Sequence, residues 1–222
     1  MQGHNKAFMA DPYRFLLHHP LRIQARTDQN SPLAQINAQA SPPVFDFDLR
    51  PSGDRCMELI PFSAHTKTNF FGTQRPIRAY WLDYQPERIC TISGDMKQAD
   101  YLFTPMLSGC YVGGGPTGMV HIAGDFYNEA LRRFVPPVHQ RDNASMRLRA
   151  MENLNGSLTI AFDSNQNTSA AEMTLVGVRS NTGWMFYVQG HTAFSGNAAT
   201  LASVYNETNH QTVIPIRDLR RG

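Results

Sequence analysis

Cys110 and His121 are the two residues of this 222-residue chain whose types and spacing fit together as chemistry. Cys110 ends a turn of small residues, Ser108-Gly109-Cys110, and directly precedes the glycine-dense run Tyr111-Val112-Gly113-Gly114-Gly115. A cysteine that only packs usually lies inside an apolar strand or helix stripe, as Cys90 does in Ile89-Cys90-Thr91-Ile92. A cysteine at the mouth of a turn, among small neighbours, is placed to react. Eleven residues on, His121 interrupts the apolar run Met119-Val120-His121-Ile122. If the glycine run folds back, imidazole meets sulfur. A thiol with its usual pKa near 8.5 is only a few per cent thiolate at pH 7, and a neighbouring imidazolium lowers that pKa. The histidine can then protonate a leaving group, provided a third group accepts a hydrogen bond from its other ring nitrogen. Thr104, six residues before the cysteine, has a hydroxyl oxygen for that task. Backbone amides at Cys110 and nearby could stabilise a tetrahedral oxyanion. The other reading of these residues is a core thiol near a hydrogen-bonded core histidine.

The elements that must hold them are mostly strands. In Val44-Phe45-Asp46-Phe47-Asp48-Leu49-Arg50, apolar and charged residues alternate with the period of a half-buried strand. Residues 57–62, 77–84, 88–93 and 99–104 follow as strand candidates at short intervals, and residues 118–124 read as another. Asp125 can cap a helix over 126–135, stopped by Pro136 and Pro137; Asp142 or Asn143 can cap a second over 144–154, closed by Asn155-Gly156. Residues 157–163, 173–180, 184–190 and 212–218 are strand-like, separated by turns rich in Asn, Ser, Thr and Gly. The expected fold class is α+β, a β-sandwich core of mixed sheets flanked by helices, in one catalytic domain over residues 1–222. Residues 1–43 form a loosely helical arm broken by Pro12, Pro20, Pro32, Pro42 and Pro43, which could be mobile.

Composition excludes several functions. At 41% hydrophobic and 17% charged residues the chain has material for one core, and no low-complexity linker divides it. Twenty basic against eighteen acidic side chains leave +2, too little for sequence-independent attraction to nucleic acid or anionic lipid. Three cysteines, an odd number, do not make a disulfide framework. Gly113, Gly115 and Gly118 match G-x-G-x-x-G, but Pro116 interrupts the motif and a strand follows it where dinucleotide binding needs a helix. No C-x-x-C or H-x-x-x-H spacing offers a metal, and His18-His19 stands beside Pro20. Arg132, Arg133, Arg141, Arg147 and Arg149 make the central helices basic, as solvated faces are. No cofactor, metal, nucleic acid or membrane is expected. The longest apolar run near the start, Phe15-Leu16-Leu17, is shorter than a signal-peptide core, so the chain is expected either to be exported without one or to act in the bacterial cytoplasm.

The stretch Tyr101-Leu102-Phe103-Thr104 through Leu107-Ser108-Gly109-Cys110, the glycine run, and Gly118-Met119-Val120-His121 resembles the glutamine deamidase toxin family that includes Burkholderia lethal factor and cytotoxic necrotizing factor. The bacterial chemoreceptor glutamine deamidases share a more distant version of the pattern. The close match covers about 25 residues; the cysteine-to-histidine loop is one residue shorter here, and the arm has no evident counterpart. The resemblance implies a β-sandwich with flanking helices, Cys110 as nucleophile, His121 as general base and acid, and Thr104 as the residue that orients the ring. In necrotizing factor a backbone carbonyl takes that third role. The implied reaction hydrolyses a glutamine side-chain amide in a host protein, such as a Rho-type GTPase or a translation-initiation RNA helicase, after delivery of the toxin to the host cytosol. A housekeeping deamidase of the chemoreceptor type and a non-catalytic binding protein on the same scaffold are the alternatives.

Overall fold

A computed structural model of the chain describes residues 3–26, 28, 30–37, 40–52, 56–62, 75–85, 89–107, 110–115, 117–123, 127–128, 133–134, 159–163, 172–181, 183–191, 202–206 and 209–214. They are mostly β, with few helices. Helices α1 (His4–Ala10) and α2 (Pro12–His18) lie in the arm, followed by a 3₁₀ turn at Pro32–Gln35. Asp11 ends the first helix and caps the second, its carboxylate accepting from the Arg14 amide at 2.9 Å, while Pro12 opens α2 where its missing N–H is not needed.

The strands are β1 (Leu21–Arg22), β2 (Val44–Pro51), β3 (Met57–Pro61), β4 (Ile77–Trp81), β5 (Ile89–Ser93), β6 (Tyr101–Phe103), β7 (Tyr111–Gly115) and β8 (Gly118–Ile122), then β9 (Tyr127–Asn128), β10 (Arg133–Phe134), β11 (Thr159–Asp163), β12 (Glu172–Ser180), β13 (Gly183–His191), β14 (Ala202–Asn206) and β15 (Asn209–Ile214). Among the described residues, nine strands form a mixed sheet in the order β1-β3-β2-β4-β6-β12-β13-β14-β15, and four form a second sheet, β11-β7-β8-β5. The pairs β1–β3 and β4–β6 are parallel.

Alternation along the large sheet gives it two buried faces. Ile77, Ala79, Trp81, Phe103, Val176 and Tyr187 share one core with Phe8, Phe15, Leu16, Leu21, Ile23 and Leu33 of the arm. Their neighbours Tyr80, Leu102, Leu175, Trp184 and Phe186 share a second core with Ile92, Cys110, Val112 and Met119 of the smaller sheet. The register agrees, setting Phe103 beside Trp81 and Val176, and Leu102 beside Tyr80 and Gly177. A side chain at Gly177 would press on Leu102, Phe186 and Trp184, so its absence lets this face pack.

The arm is built into the molecule. Buried Gln189 of β13 accepts from the Leu21 amide at 2.8 Å and donates to the His19 carbonyl at 3.1 Å, and Thr174 of β12 donates to the Leu21 carbonyl at 2.6 Å. Asn5, fully buried, donates to the Arg75 carbonyl at 3.0 Å and accepts from the Leu49 amide at 2.9 Å. Such side chains satisfy backbone groups that burial would otherwise leave unpaired. The expectation of a loose arm over 1–43 missed this, because its prolines interrupt helices without preventing packing.

Two other expectations change. The helix over 126–135 is not formed at its described positions: Tyr127–Asn128 and Arg133–Phe134 pair as antiparallel strands, with Arg133 opposite Asn128. Helix propensity is a weak prior against such pairing. The second expected helix, 144–154, lies outside the described residues, as do Arg132, Arg141, Arg147 and Arg149. The glycine run, read as a turn, is instead strand β7; only residues 116 and 117 separate it from β8. Gly118 makes that hairpin feasible. Its φ of +148° and the overlap that a Cβ would have with the Ile92 carbonyl both demand glycine.

Candidate functional site

Each of the three residues proposed for chemistry comes from a different segment of the chain. Thr104 follows the last residue of β6 and continues its alternation, so it shares the side of Leu102 and faces the smaller sheet. The chain then makes a two-way bridge to β12, with Leu107 and Met173 exchanging amide–carbonyl bonds at 2.6 and 2.9 Å. It reaches Cys110, which leads into β7. His121 lies on β8, directly opposite Val112. Ser108 and Gly109, which precede Cys110 in its turn, lie outside the described residues.

The structure brings Thr104 and His121 together across the gap between sheets: Oγ1 and Nδ1 are 2.7 Å apart. Thr104 is fully buried and His121 is 1% exposed. His121 Nε2 is buried without a hydrogen-bond partner. Burial alone pushes the imidazole down to about 3, so the ring is neutral at pH 7. This corrects the expectation of an imidazolium that draws the thiol toward thiolate in the resting site. The ring can still act as a base in the tautomer where Nδ1–H donates to Thr104 Oγ1, because Nε2 then keeps its lone pair.

Cys110 belongs to the same core as Val112 and Met119 and is 3% exposed. It stands one position before the end pair Tyr111–Ile122 and two before Val112, the partner of His121. Along an antiparallel ladder this is the diagonal relation on one face, with Cα atoms of order 7–8 Å apart and side chains closer. Cys110 and His121 therefore occupy the same face of the smaller sheet.

Sequence reasoning missed two neighbours. Cys90, read as an ordinary core cysteine, is half-buried and stands in register directly opposite His121, on β5 at the edge of the smaller sheet. Tyr84, just after β4, is half-buried and places its ring 5.2 Å from the His121 ring, inclined by 41°. No local signal announces either. The pairing of β5 with β8 joins strands that are not consecutive, and Tyr84 reaches the site through the other sheet.

The opposite end of the two sheets holds a groove of about 570 Å³. Trp184, Met96 and Met119 give it apolar walls, while Asp95, Lys97, Asp100 and Arg179 stand at its margins. Arg179 donates through Nε and Nη2 to one oxygen of Asp100, at 3.1 and 2.5 Å, and Lys97 pairs with Asp95 at 2.6 Å.

Among the described residues no three His, Cys, Asp or Glu side chains gather as a metal site requires, and no helix is long and apolar enough to cross a membrane. Gly113 and Gly115 lie within β7 and Gly118 opens β8, so the G-x-G-x-x-G match opens no helix. No protein-family model matches the chain, and no curated protein matches it.

Proposed function

We propose that the protein is a cysteine-dependent protein-glutamine deamidase, with Cys110 as nucleophile, His121 as general base and acid, and Thr104 as the residue that orients the ring. The observation that carries this reading is the 2.7 Å contact of Thr104 Oγ1 with His121 Nδ1, beside an Nε2 that has no partner. A buried ring held at one nitrogen and open at the other is oriented for proton transfer. Two sheets with a common core support reading the fold as a β-sandwich of the deamidase-toxin kind.

In the reaction, Cys110 Sγ attacks the carboxamide carbon of a substrate glutamine while its proton passes to His121 Nε2. The tetrahedral adduct collapses as Nε2 returns that proton to the departing nitrogen, releasing ammonia and leaving a thioester. Water, deprotonated by Nε2, then attacks the thioester; glutamate leaves and the thiol is restored. Residue 121 starts neutral, which suits a base that takes a proton only as the sulfur attacks. Half-buried Tyr84 lies against the ring, so its displacement opens the site to a protein-borne glutamine. The substrate class is a regulatory protein of a host cell, and the protein is a secreted effector.

Burial favours a second reading: a core thiol at 3% exposure and a histidine at 1% in a non-catalytic binding protein. One experiment separates them. Host-cell and bacterial extracts are treated with wild-type and Cys110→Ala protein, and Gln-to-Glu changes are mapped by mass spectrometry. The deamidase reading expects one glutamine to gain about one mass unit with wild type only. Its location in host or bacterial extract decides between effector and housekeeping enzyme. Unchanged glutamines in both extracts leave the binding protein.

A further inference from the structure

Two features of the His121 neighbourhood have no role in the proposed reaction, and a third is the proton-accepting nitrogen that the reaction uses. Cys90 stands directly opposite His121 in the β5–β8 register. Directly opposed residues of an antiparallel pair carry their Cβ atoms about 4.5–5.5 Å apart on one face. Cys90 is half-buried on the edge strand of the smaller sheet, whereas Cys110 is buried. Thirdly, His121 Nε2 has no hydrogen-bond partner although its residue is 1% exposed, while Nδ1 is committed to Thr104. A buried polar atom left without a partner destabilises the site that holds it. Any group that supplies a donor there gains what the resting site lacks.

We propose that Cys90 is an oxidation site that silences His121: a hydroperoxide converts Cys90 to its sulfenic acid, whose hydroxyl then donates to Nε2. In this step the Cys90 sulfur attacks one peroxide oxygen and its proton passes to Nε2. The O–O bond breaks, and the departing alkoxide or hydroxide takes the proton and leaves as an alcohol or water. Sulfur is oxidised by two electrons and the peroxide is reduced by two. The new S–OH lies beside the ring on the same face, and Nε2 is no longer able to accept a proton from Cys110. The consequence for activity rests on the deamidase reading; the modification and its contact with His121 do not. A thiol reductant reverses the step, so the device would hold the enzyme inactive in an oxidising medium and release it in a reducing one.

Cys56, also half-buried and reduced, is the internal standard. The whole protein is exposed to limiting hydrogen peroxide, sulfenic acids are trapped with dimedone and mapped by mass spectrometry, and the His121 ring is followed by nitrogen NMR. The expected result is trapping at Cys90 about tenfold faster than at Cys56, falling to the Cys56 rate in His121→Gln, because the ring assists the attack. Oxidation should shift the His121 Nε2 resonance in wild type and leave it unmoved in Cys90→Ala, a comparison that does not require the His121 variant to fold. Trapping at Cys90 no faster than at Cys56, first trapping at Cys110, or an unmoved His121 resonance after Cys90 oxidation each overturns the proposal. If Cys90 is trapped and the resonance moves while no glutamine in any extract is changed, the oxidation site stands and the deamidase reading fails.

Discussion

The two ends of the paired sheets are built to opposite rules. At one end Thr104, Cys110 and His121 are all buried, and a hydrogen bond between the sheets joins Thr104 to His121. At the other, Asp95, Lys97, Asp100 and Arg179 flank an open groove, and the charges stay paired near water. The difference teaches where sequence change should matter. A polar group at the closed end has no solvent to replace a lost partner, whereas one at the open end does.

The largest effect belongs to the closed end. Cys110→Ala should abolish deamidation, and His121→Gln should lower it by about 10²–10⁴-fold, both without loss of fold by circular dichroism. Retained activity in either variant breaks the comparison outright. Gly118→Ala tests a buried position at the open end, where solvent gives no relief. A Cβ there meets the Ile92 carbonyl at a positive φ, and urea unfolding should show a loss of about 3 kcal/mol or more.

Thr104→Val comes next. It keeps the shape and removes the hydroxyl, leaving Nδ1 unpartnered, for a stability loss of about 1–3 kcal/mol and a deamidation rate reduced by one to two orders of magnitude. Normal activity would mean that the hydroxyl does not orient the ring. Acid sharpens the same point. His121 binds its proton far more weakly folded than unfolded, so its contribution to stability is complete above the unfolded value of about 6.5 and is lost as pH falls toward about 3. Within that window its share of the slope approaches about 1.4 kcal/mol per pH unit, and His121→Gln should remove that share in denaturant titrations at successive pH values. Arg179→Ala should do least. Its ion pair with Asp100 leaves the two side chains 31% and 66% exposed, and its loss should cost less than about 1 kcal/mol and leave deamidation unchanged.

The strands were legible where one side of the pattern decided them. Phe45, Phe47 and Leu49 alternate with charged residues because Phe47 and Leu49 face the core shared with the arm, although Asp48 between them is buried as well. The run at residues 77–81 reads as a strand because Ile77, Ala79 and Trp81 share one apolar face. That the chain after Cys110 returns beside the histidine strand was legible too, although the glycines belong to the returning strand β7 and not to the turn. What could not be read was anything fixed by strands distant in sequence. Cys90 looks like a core residue in its own segment, and its place opposite His121 depends on a register that β5 and β8 acquire only in the folded sheet. The charge state of His121 was misjudged for the same reason, because burial arises from Tyr84 and the facing sheet and not from its neighbours in the chain. The arm was misjudged because Gln189 and Thr174, which hold it, lie 168 and 153 residues beyond Leu21.

The most direct test of the central claim needs no knowledge of the substrate. It measures the rate at which native Cys110 reacts with iodoacetamide at pH 7, in wild type and in His121→Gln, with Cys56 as the internal reference. If the ring accepts the sulfur's proton, Cys110 should be labelled at least about tenfold more slowly in the variant while Cys56 is unaffected. Equal rates at Cys110 in the two proteins would contradict the account.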